Sequence, residues 1–246
     1  MKHQSYKLLA GLAFAALLMG CKKEFNYAKT GSSHIAVFHT VPNARGVNIL
    51  ANDQPFIERL GYLGSSPGLY KAVPNGPVNV TIYDTTRRAN IFSGAINVEA
   101  NTNYSVFAYD TVKAGAVQAL VLKDDLTTPT TGVANVRFLH LSPNAPGVDV
   151  WALWSTLPGG TPLTDSVRLF QNVLYVGNTT PNAELSRFSP VPAGRYVLRV
   201  RVASSGQQVL NIPNVDLGGQ KCLTVVARGL VGSTATPLGA SIYINN

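Results

Sequence analysis

A short motif occurs twice in this 246-residue chain, 101 positions apart. Residues 39–47 have the sequence HTVPNARGV, and residues 140–148 have the sequence HLSPNAPGV. Pro-Asn-Ala closed by Gly between two runs rich in β-branched residues predicts strand, tight turn and strand. A repeat of this period indicates two β-rich modules in tandem. The positions that recur, identically or in kind, are His39, Pro42, Asn43, Gly46 and Asn48, and His140, Pro143, Asn144, Gly147 and Asp149.

The rest of the chain supports an all-β fold. Val78, Val80 and Ile82 alternate with polar residues, and Tyr196, Leu198, Val200 and Val202 do the same in the second half. Short strands with turn signals between them predict two Ig-like or prealbumin-like antiparallel β-sandwich modules, each with seven to nine strands in two packed sheets. We place the first module at residues 34–125, a Thr-rich linker of modest flexibility at 126–132, and the second module at 133–246. The second module alone carries an insertion, residues 155–165.

The N-terminus predicts export. Lys2 and Lys7 precede an apolar run, residues 8–20, which is shorter than the roughly 20 residues of a spanning helix. Residues 1–20 are therefore expected to be a cleaved signal peptide. Residues 18–21, LMGC, resemble a bacterial lipobox, which predicts that Cys21 is acylated, with a palmitate among its chains, and begins a tether at 21–33. Because no Asp follows Cys21 directly, we expect anchoring to the outer membrane, facing either the periplasm or the cell surface.

The second copy of the motif also carries a family resemblance. Residues 136–150, VRFLHLSPNAPGVDV, resemble the opening signature of DUF4397, a domain of unknown function. The first copy is a degenerate match, since Val41, Arg45 and Asn48 replace the Ser, second Pro and Asp of that signature. The resemblance implies exported bacterial proteins, often lipoproteins, with a sandwich fold, in two copies here. It implies no activity.

Composition and motifs argue against catalysis and nucleic-acid binding. Charged residues make up 13% of the chain, about half the usual share of roughly 25%, and the net charge of +8 is spread along it rather than gathered in a basic patch. No metal-ligand spacing, nucleotide loop or nucleophile elbow is present, so no cofactor and no metal are expected. His140 and Asp149 have the chemistry of an acid–base pair. Because the first copy has Asn48 in place of the acid, a role in holding the turn is the favoured alternative.

Two features of the second module suggest a binding surface. Trp151 falls on the outward face of its strand, with Trp154 three residues on, and an exposed indole stacks on sugar rings or anchors a partner. Alternatively, the 155–165 insertion covers Trp151. Arg195, Arg199 and Arg201 share one strand face, which suits an anionic ligand, although a solvated or edge-protecting face has the same pattern.

The sequence therefore predicts a non-catalytic envelope lipoprotein. The leading hypothesis is a binding or adhesion module for a glycan or envelope polymer. The alternative is a structural scaffold that docks a partner envelope protein.

Overall fold

The computed structural model describes residues 33–113, 117–154, 166–180 and 183–246. The predicted signal peptide, most of the predicted tether and the 155–165 insertion lie outside these ranges. The described residues form sixteen β-strands, a 3-10 turn at Val176–Asn178 and a short helix α1 at Ala183–Ser186. The prediction of an all-β sandwich fold is confirmed.

The first eight strands form module 1. It contains an inner sheet with the order β4-β1-β7-β8, which faces module 2, and an outer sheet with the order β3-β2-β5-β6. The strands are β1 (Ser33–His39), β2 (Gly46–Ala51), β3 (Gln54–Gly61), β4 (Lys71–Val73), β5 (Gly76–Asp84), β6 (Ala89–Val98), β7 (Asn103–Tyr109) and β8 (Gln118–Asp124).

The remaining eight strands form module 2 with the same topology. Its inner sheet has the order β12-β9-β15-β16 and its outer sheet the order β11-β10-β13-β14. The strands are β9 (Val133–His140), β10 (Val148–Trp154), β11 (Ser166–Val173), β12 (Ser189–Pro192), β13 (Gly194–Val202), β14 (Gln208–Leu217), β15 (Cys222–Arg228) and β16 (Gly239–Ile244).

Each inner sheet differs from the expected antiparallel pattern in one pair. β1 lies parallel to β7, and β9 lies parallel to β15. Both partners in each pair therefore start at the same end of the molecule. At this start end lie Ser33, Asp124 and the chain terminus after β16. The two repeated turns, which follow His39 and His140, lie together at the opposite end, here called the turn end.

Three apolar clusters hold the fold together. Alternating strand residues fill the space between the two sheets of each module, with Ile49 and Ile82 in module 1 and Val150 and Leu198 in module 2. A third cluster lies between the two inner sheets, so the modules pack side by side through these faces. Strands β1, β7, β9 and β15 are consequently buried on both sides.

The linker is attached to module 2. The N–H of Val133 donates to the Thr130 carbonyl (3.0 Å), and the N–H of Ala193 donates to the Gly132 carbonyl (2.8 Å). The thiol of the buried Cys222 lies 3.9 Å from the Thr127 carbonyl oxygen. The modest flexibility that the Thr-rich sequence suggests for this linker stays a prediction.

Candidate functional site

The two histidines of the repeated motif close their own turns. His39 Nε2 donates to the Ala44 carbonyl (2.9 Å), and His140 Nε2 donates to the Pro146 carbonyl (3.0 Å). The other ring nitrogen accepts a backbone N–H two residues on, from Val41 at 3.4 Å and from Ser142 at 3.3 Å. Both rings are fully buried, so each imidazole has the role of a structural brace across the turn.

Burial keeps both rings neutral. Loss of solvation lowers the pKa of His39 to about 4, against weaker opposing effects of the Ala44 carbonyl and the Asp84 charge. Burial also lowers the pKa of His140, again opposed by its carbonyl partner at Pro146. A neutral ring with its proton on Nε2 fits the donor at one nitrogen and the acceptor at the other.

The two repeated asparagines bond the turn to a loop of the inner sheet, which follows β7 in module 1 and β15 in module 2. Asn144 accepts the N–H of Val231 (2.9 Å) and donates to the carbonyl of the same residue (3.0 Å). Asn43 makes the same pair of bonds to Val112, at 2.7 and 3.4 Å. An amide suits this position because its oxygen accepts and its NH₂ group donates on one short planar side chain.

Asn48 and Asp149 cap irregular points in the neighbouring edge strands. Asn48 accepts the N–H of Arg59 (2.8 Å), and Asp149 accepts the N–H of Asn172 (2.7 Å). Arg59 and Asn172 both have positive φ. Arg59 lies where the pairing of β3 with β2 shifts register, and Asn172 lies where the pairing of β11 with β10 shifts register. These bonds stabilise two β-bulges.

His140 and Asp149 therefore have separate partners. In the described part of the chain, no hydrogen bond joins them. The histidine contacts the backbone of its own turn, and the carboxylate contacts the bulge in β11.

The prolines and glycines of the motif complete the turns. Pro42 and Pro143 open them, and the carbonyls of Gly46 and Gly147 accept N–H groups from the hairpins that follow β5 and β13. A Cβ on Gly147 would lie 2.9 Å from Leu174 Cδ2, so a side chain at this position requires the exposed Leu174 side chain to move.

Trp151 lies on the outer sheet of module 2, half-buried and facing away from the core. The guanidinium carbons of Arg168 and Arg201 are 5.5 and 5.6 Å from its ring centroid, within cation–π range. Arg199 is its direct cross-strand neighbour on β13. We call this group, Trp151 with Arg168, Arg199 and Arg201, the Trp–Arg surface.

The charges on the Trp–Arg surface are mostly unneutralised. Asp149 forms an ion pair with Arg168 at 3.4 Å. Arg199 Nε is buried and has no hydrogen-bond partner within the described residues. Three guanidinium groups against one carboxylate leave this face cationic around an indole, an arrangement that suits a ligand carrying both a ring and an anionic group.

Two predicted site residues lie apart from this group. Trp154 points to the opposite face of β10, where it packs against the core of module 2 and makes an edge contact with Tyr196 (5.4 Å between centroids). The two tryptophans therefore do not share one platform. Arg195 lies on the same face as Arg199, nearer the start end, opposite Asp216 on β14.

A groove of about 580 Å³ opens at the turn end of module 2. Pro146, Val202, Val209 and Leu238 form much of its wall, and Gln207 and Gln208 supply amides. In module 1 the corresponding hairpin carries Arg87, whose guanidinium donates to the Asn43 carbonyl (2.8 Å) and pairs with Asp84 (2.6 Å).

The described ranges contain no group of three or more His, Cys, Asp or Glu side chains placed to hold a metal ion. No helix in the same ranges has the length and hydrophobicity to span a bilayer.

Residues 33–151 match the DUF4397 family model, a domain of unknown function. The resemblance to DUF4397 is thus confirmed for these residues. The matched DUF4397 region contains module 1, the linker, β9 and the first part of β10, and so includes both copies of the repeated turn. No curated protein matches the chain.

Three solved structures align at low similarity. The first is the product complex of a multi-modular glycogen-degrading pneumococcal virulence factor, SpuA, with 14% identity and a TM-score of 0.26; the alignment covers 80% of this chain but only 21% of that one. The second is a streptococcal virulence factor described as binding α-glucan, with 14% identity, a TM-score of 0.27, and coverage of 87% of this chain and 97% of that one. The third is a candidate adhesin from Bacteroides ovatus, with 10% identity, a TM-score of 0.20, and coverage of 87% and 95%.

Proposed function

We propose that this protein is a non-catalytic binding module of the bacterial cell envelope, and that its ligand is a glycan or envelope polymer carrying anionic groups. The proposal depends on one observation, the half-buried Trp151 flanked by the guanidinium groups of Arg168 and Arg201. The two guanidinium groups that lie over the indole supply bidentate donors for carboxylate or sulfate groups, and the exposed part of the indole supplies apolar surface for a sugar ring.

The bonding of the polar motif residues supports a role without catalysis. His140 is neutral and uses both ring nitrogens on its own turn, and Asp149 uses one oxygen on a backbone N–H and the other on Arg168. Module 1 repeats the same architecture with Asn48, which has no titratable group. A general base needs a side chain free to take a proton from substrate.

The proposal includes anchoring of the chain to the outer membrane by acyl chains on Cys21. The lipobox-like residues 18–21 motivate it, and the described chain begins at Ser33 on the start end, away from the repeated turns. Replacing Cys21 with Ser is expected to move the protein from the membrane fraction to the soluble fraction. Protease treatment of intact cells then reports the side: loss of the modules indicates the cell surface, and protection until the outer membrane is opened indicates the periplasm.

The ligand test uses Trp151→Leu, because module 1 has Leu50 at the equivalent position and the substitution keeps an apolar side chain on the strand. Calorimetric titration with alginate, heparin and dextran provides two anionic polymers and a neutral one. We expect binding of an anionic polymer that weakens at least tenfold in Trp151→Leu, with a nearly unchanged melting temperature.

The matched control is Tyr83→Leu, which removes a half-buried aromatic ring from the corresponding sheet of module 1. This variant should bind like the parent. Equal affinity of Trp151→Leu and the parent would exclude the Trp–Arg surface as the ligand site, and a large fall in melting temperature would assign Trp151 to the core.

The second candidate function is a scaffold that docks another envelope protein. It is favoured by Val167, a 58% exposed apolar residue on the edge strand β11, because an edge strand offers unpaired backbone groups to a partner. This candidate predicts a co-purifying protein that is lost in Val167→Lys and retained in Trp151→Leu.

A further inference from the structure

The two inner sheets meet through equivalent residues. Aligning His39 with His140 makes Phe38 equivalent to Leu139. Phe38 pairs with Phe107 and Leu139 pairs with Val226, so Phe107 and Val226 are equivalent. The antiparallel registers then make Leu122 equivalent to Tyr243. The apolar cluster between the modules contains the side chains of Phe107, Val226, Leu122 and Tyr243.

The contacts at the turn end are related by an approximate two-fold axis. Tyr175 of module 2 donates to Asp110 of module 1 (2.8 Å) and makes an edge contact with Tyr109 (6.1 Å between centroids). The equivalent of Tyr175 in module 1 is Tyr62, and the equivalent of Tyr109 is Arg228. Tyr62 is close enough to Arg228 for that charge to oppose the rise in the Tyr62 pKa caused by burial.

The positions in contact at the start end are also related by this two-fold axis, but the equivalent residues differ in charge. Arg137 of module 2 forms an ion pair with Asp124 of module 1 at 2.6 Å, with side chains 1% and 0% exposed. The equivalent positions on the other side of the axis are Ala36 and Asn245. The site is therefore charged in one half and neutral in the other.

Asp124 and its equivalent Asn245 are joined through two shared hydroxyl groups at the start end. Asp124 accepts from Tyr70 and Ser105, both at 2.6 Å. Asn245 donates across the interface to the same two hydroxyl groups, at 3.2 and 3.3 Å. Thr224 is the equivalent of Ser105, and it donates to Asn245 as Ser105 donates to Asp124.

We infer that the inner-sheet face of each module is an association surface whose partner is another module of the same kind, so that this chain is a covalently joined dimer that holds together without its linker. The inference goes beyond the proposed ligand site, which lies on an outer sheet. Three properties support it. The interface is isologous, as in two-fold dimers, it has a continuous apolar cluster, and its start-end ion pair is buried, with Arg137 Nε and Nη1 donating to Thr224 and Asp124.

The test cuts the linker in the full chain. A site-specific protease sequence is inserted between Thr127 and Thr128, which are both exposed. After cleavage, size-exclusion chromatography with light scattering at micromolar concentration is expected to give a single species containing one copy of each half. Separation of the halves after cleavage, whether each stays folded or precipitates, overturns the inference.

Variants of the cut protein show whether this face holds the halves together. Arg137→Ala leaves the Asp124 charge buried without its partner, so the dissociation constant of the halves should rise at least tenfold. Adding Asp124→Asn copies the neutral Ala36 and Asn245 pair and should recover most of the affinity. Arg168→Ala, on the outer sheet, is the matched control and should behave like the parent. Equal dissociation constants for Arg137→Ala and the parent would place the association on another face and overturn the inference.

Discussion

Each polar residue of the repeated motif has the same backbone task in both modules. The histidines brace the turn, the asparagines clamp the following loop, and Asn48 and Asp149 cap a bulge. The sequence alone predicted a turn at this motif because Pro, Asn and Gly have local conformational preferences. It did not predict which distant N–H groups the side chains reach, because Val112 and Val231 lie 69 and 87 residues away.

The buried histidine of module 1 predicts a pH dependence of stability. The pKa of His39 falls from 6.5 to about 4 on folding, so the unfolded chain binds a proton that the folded chain excludes as pH drops through this range. Stability from this residue is fully present above pH 6.5 and is lost toward pH 4, by about 3 kcal/mol in total. Urea unfolding at a series of pH values measures it.

The variant for this measurement is His39→Gln, whose unfolding free energy should fall less than that of the parent over the same pH range. Trp151→Leu changes no titratable group and is the control that should keep the parent slope. A slope in His39→Gln equal to that of the parent would contradict the assignment.

At the scale of elements, the strands with regular alternation were predicted and the irregular edge strands were not. β5 and β13 have apolar residues at every second position, and both face a core. β3 and β11 are edge strands interrupted by bulges at Arg59 and Asn172, so their apolar residues change face partway along. This is also why Arg168, on β11, was missed as a member of the Trp–Arg surface.

The loop after β15 offers a test of backbone constraint. Gly229 has φ +85°, and an added Cβ would lie 2.2 Å from the Pro237 carbonyl oxygen. Gly229→Ala should therefore lower the unfolding free energy by roughly 3 kcal/mol, from left-handed strain and a clash with rigid backbone. Gly232 has φ +78° with open space around its Cβ position, so Gly232→Ala should lose only about 1 kcal/mol. Denaturant unfolding of both variants measures the difference, and equal losses would contradict the clash.

At the scale of the whole molecule, the sequence predicted two sandwiches but not their side-by-side packing. Alternation describes a sheet with one buried face, yet β7 and β15 are buried on both faces. Their nearly continuous apolar runs, around Val106-Phe107-Ala108 and Val225-Val226-Ala227, are typical of strands covered on both sides. The packing of the modules also explains why Arg137 is buried with its charge, because its partner Asp124 belongs to the other module. The sequence of one repeat does not contain both residues.

The shared interface predicts that the uncut chain unfolds in one step. Unfolding of one module exposes the apolar cluster between the inner sheets and leaves one partner of the Arg137–Asp124 ion pair without the other. Each module is therefore less stable alone than in the intact chain. Differential scanning calorimetry should give a single transition, with a calorimetric enthalpy equal to the van't Hoff enthalpy.

Arg137→Ala should lower the unfolding free energy by about 3–5 kcal/mol and still give one transition. Arg168→Ala removes an exposed ion pair and should change it by less than about 1 kcal/mol. Two separate transitions, with Arg137→Ala shifting only one of them, would show that the modules fold independently.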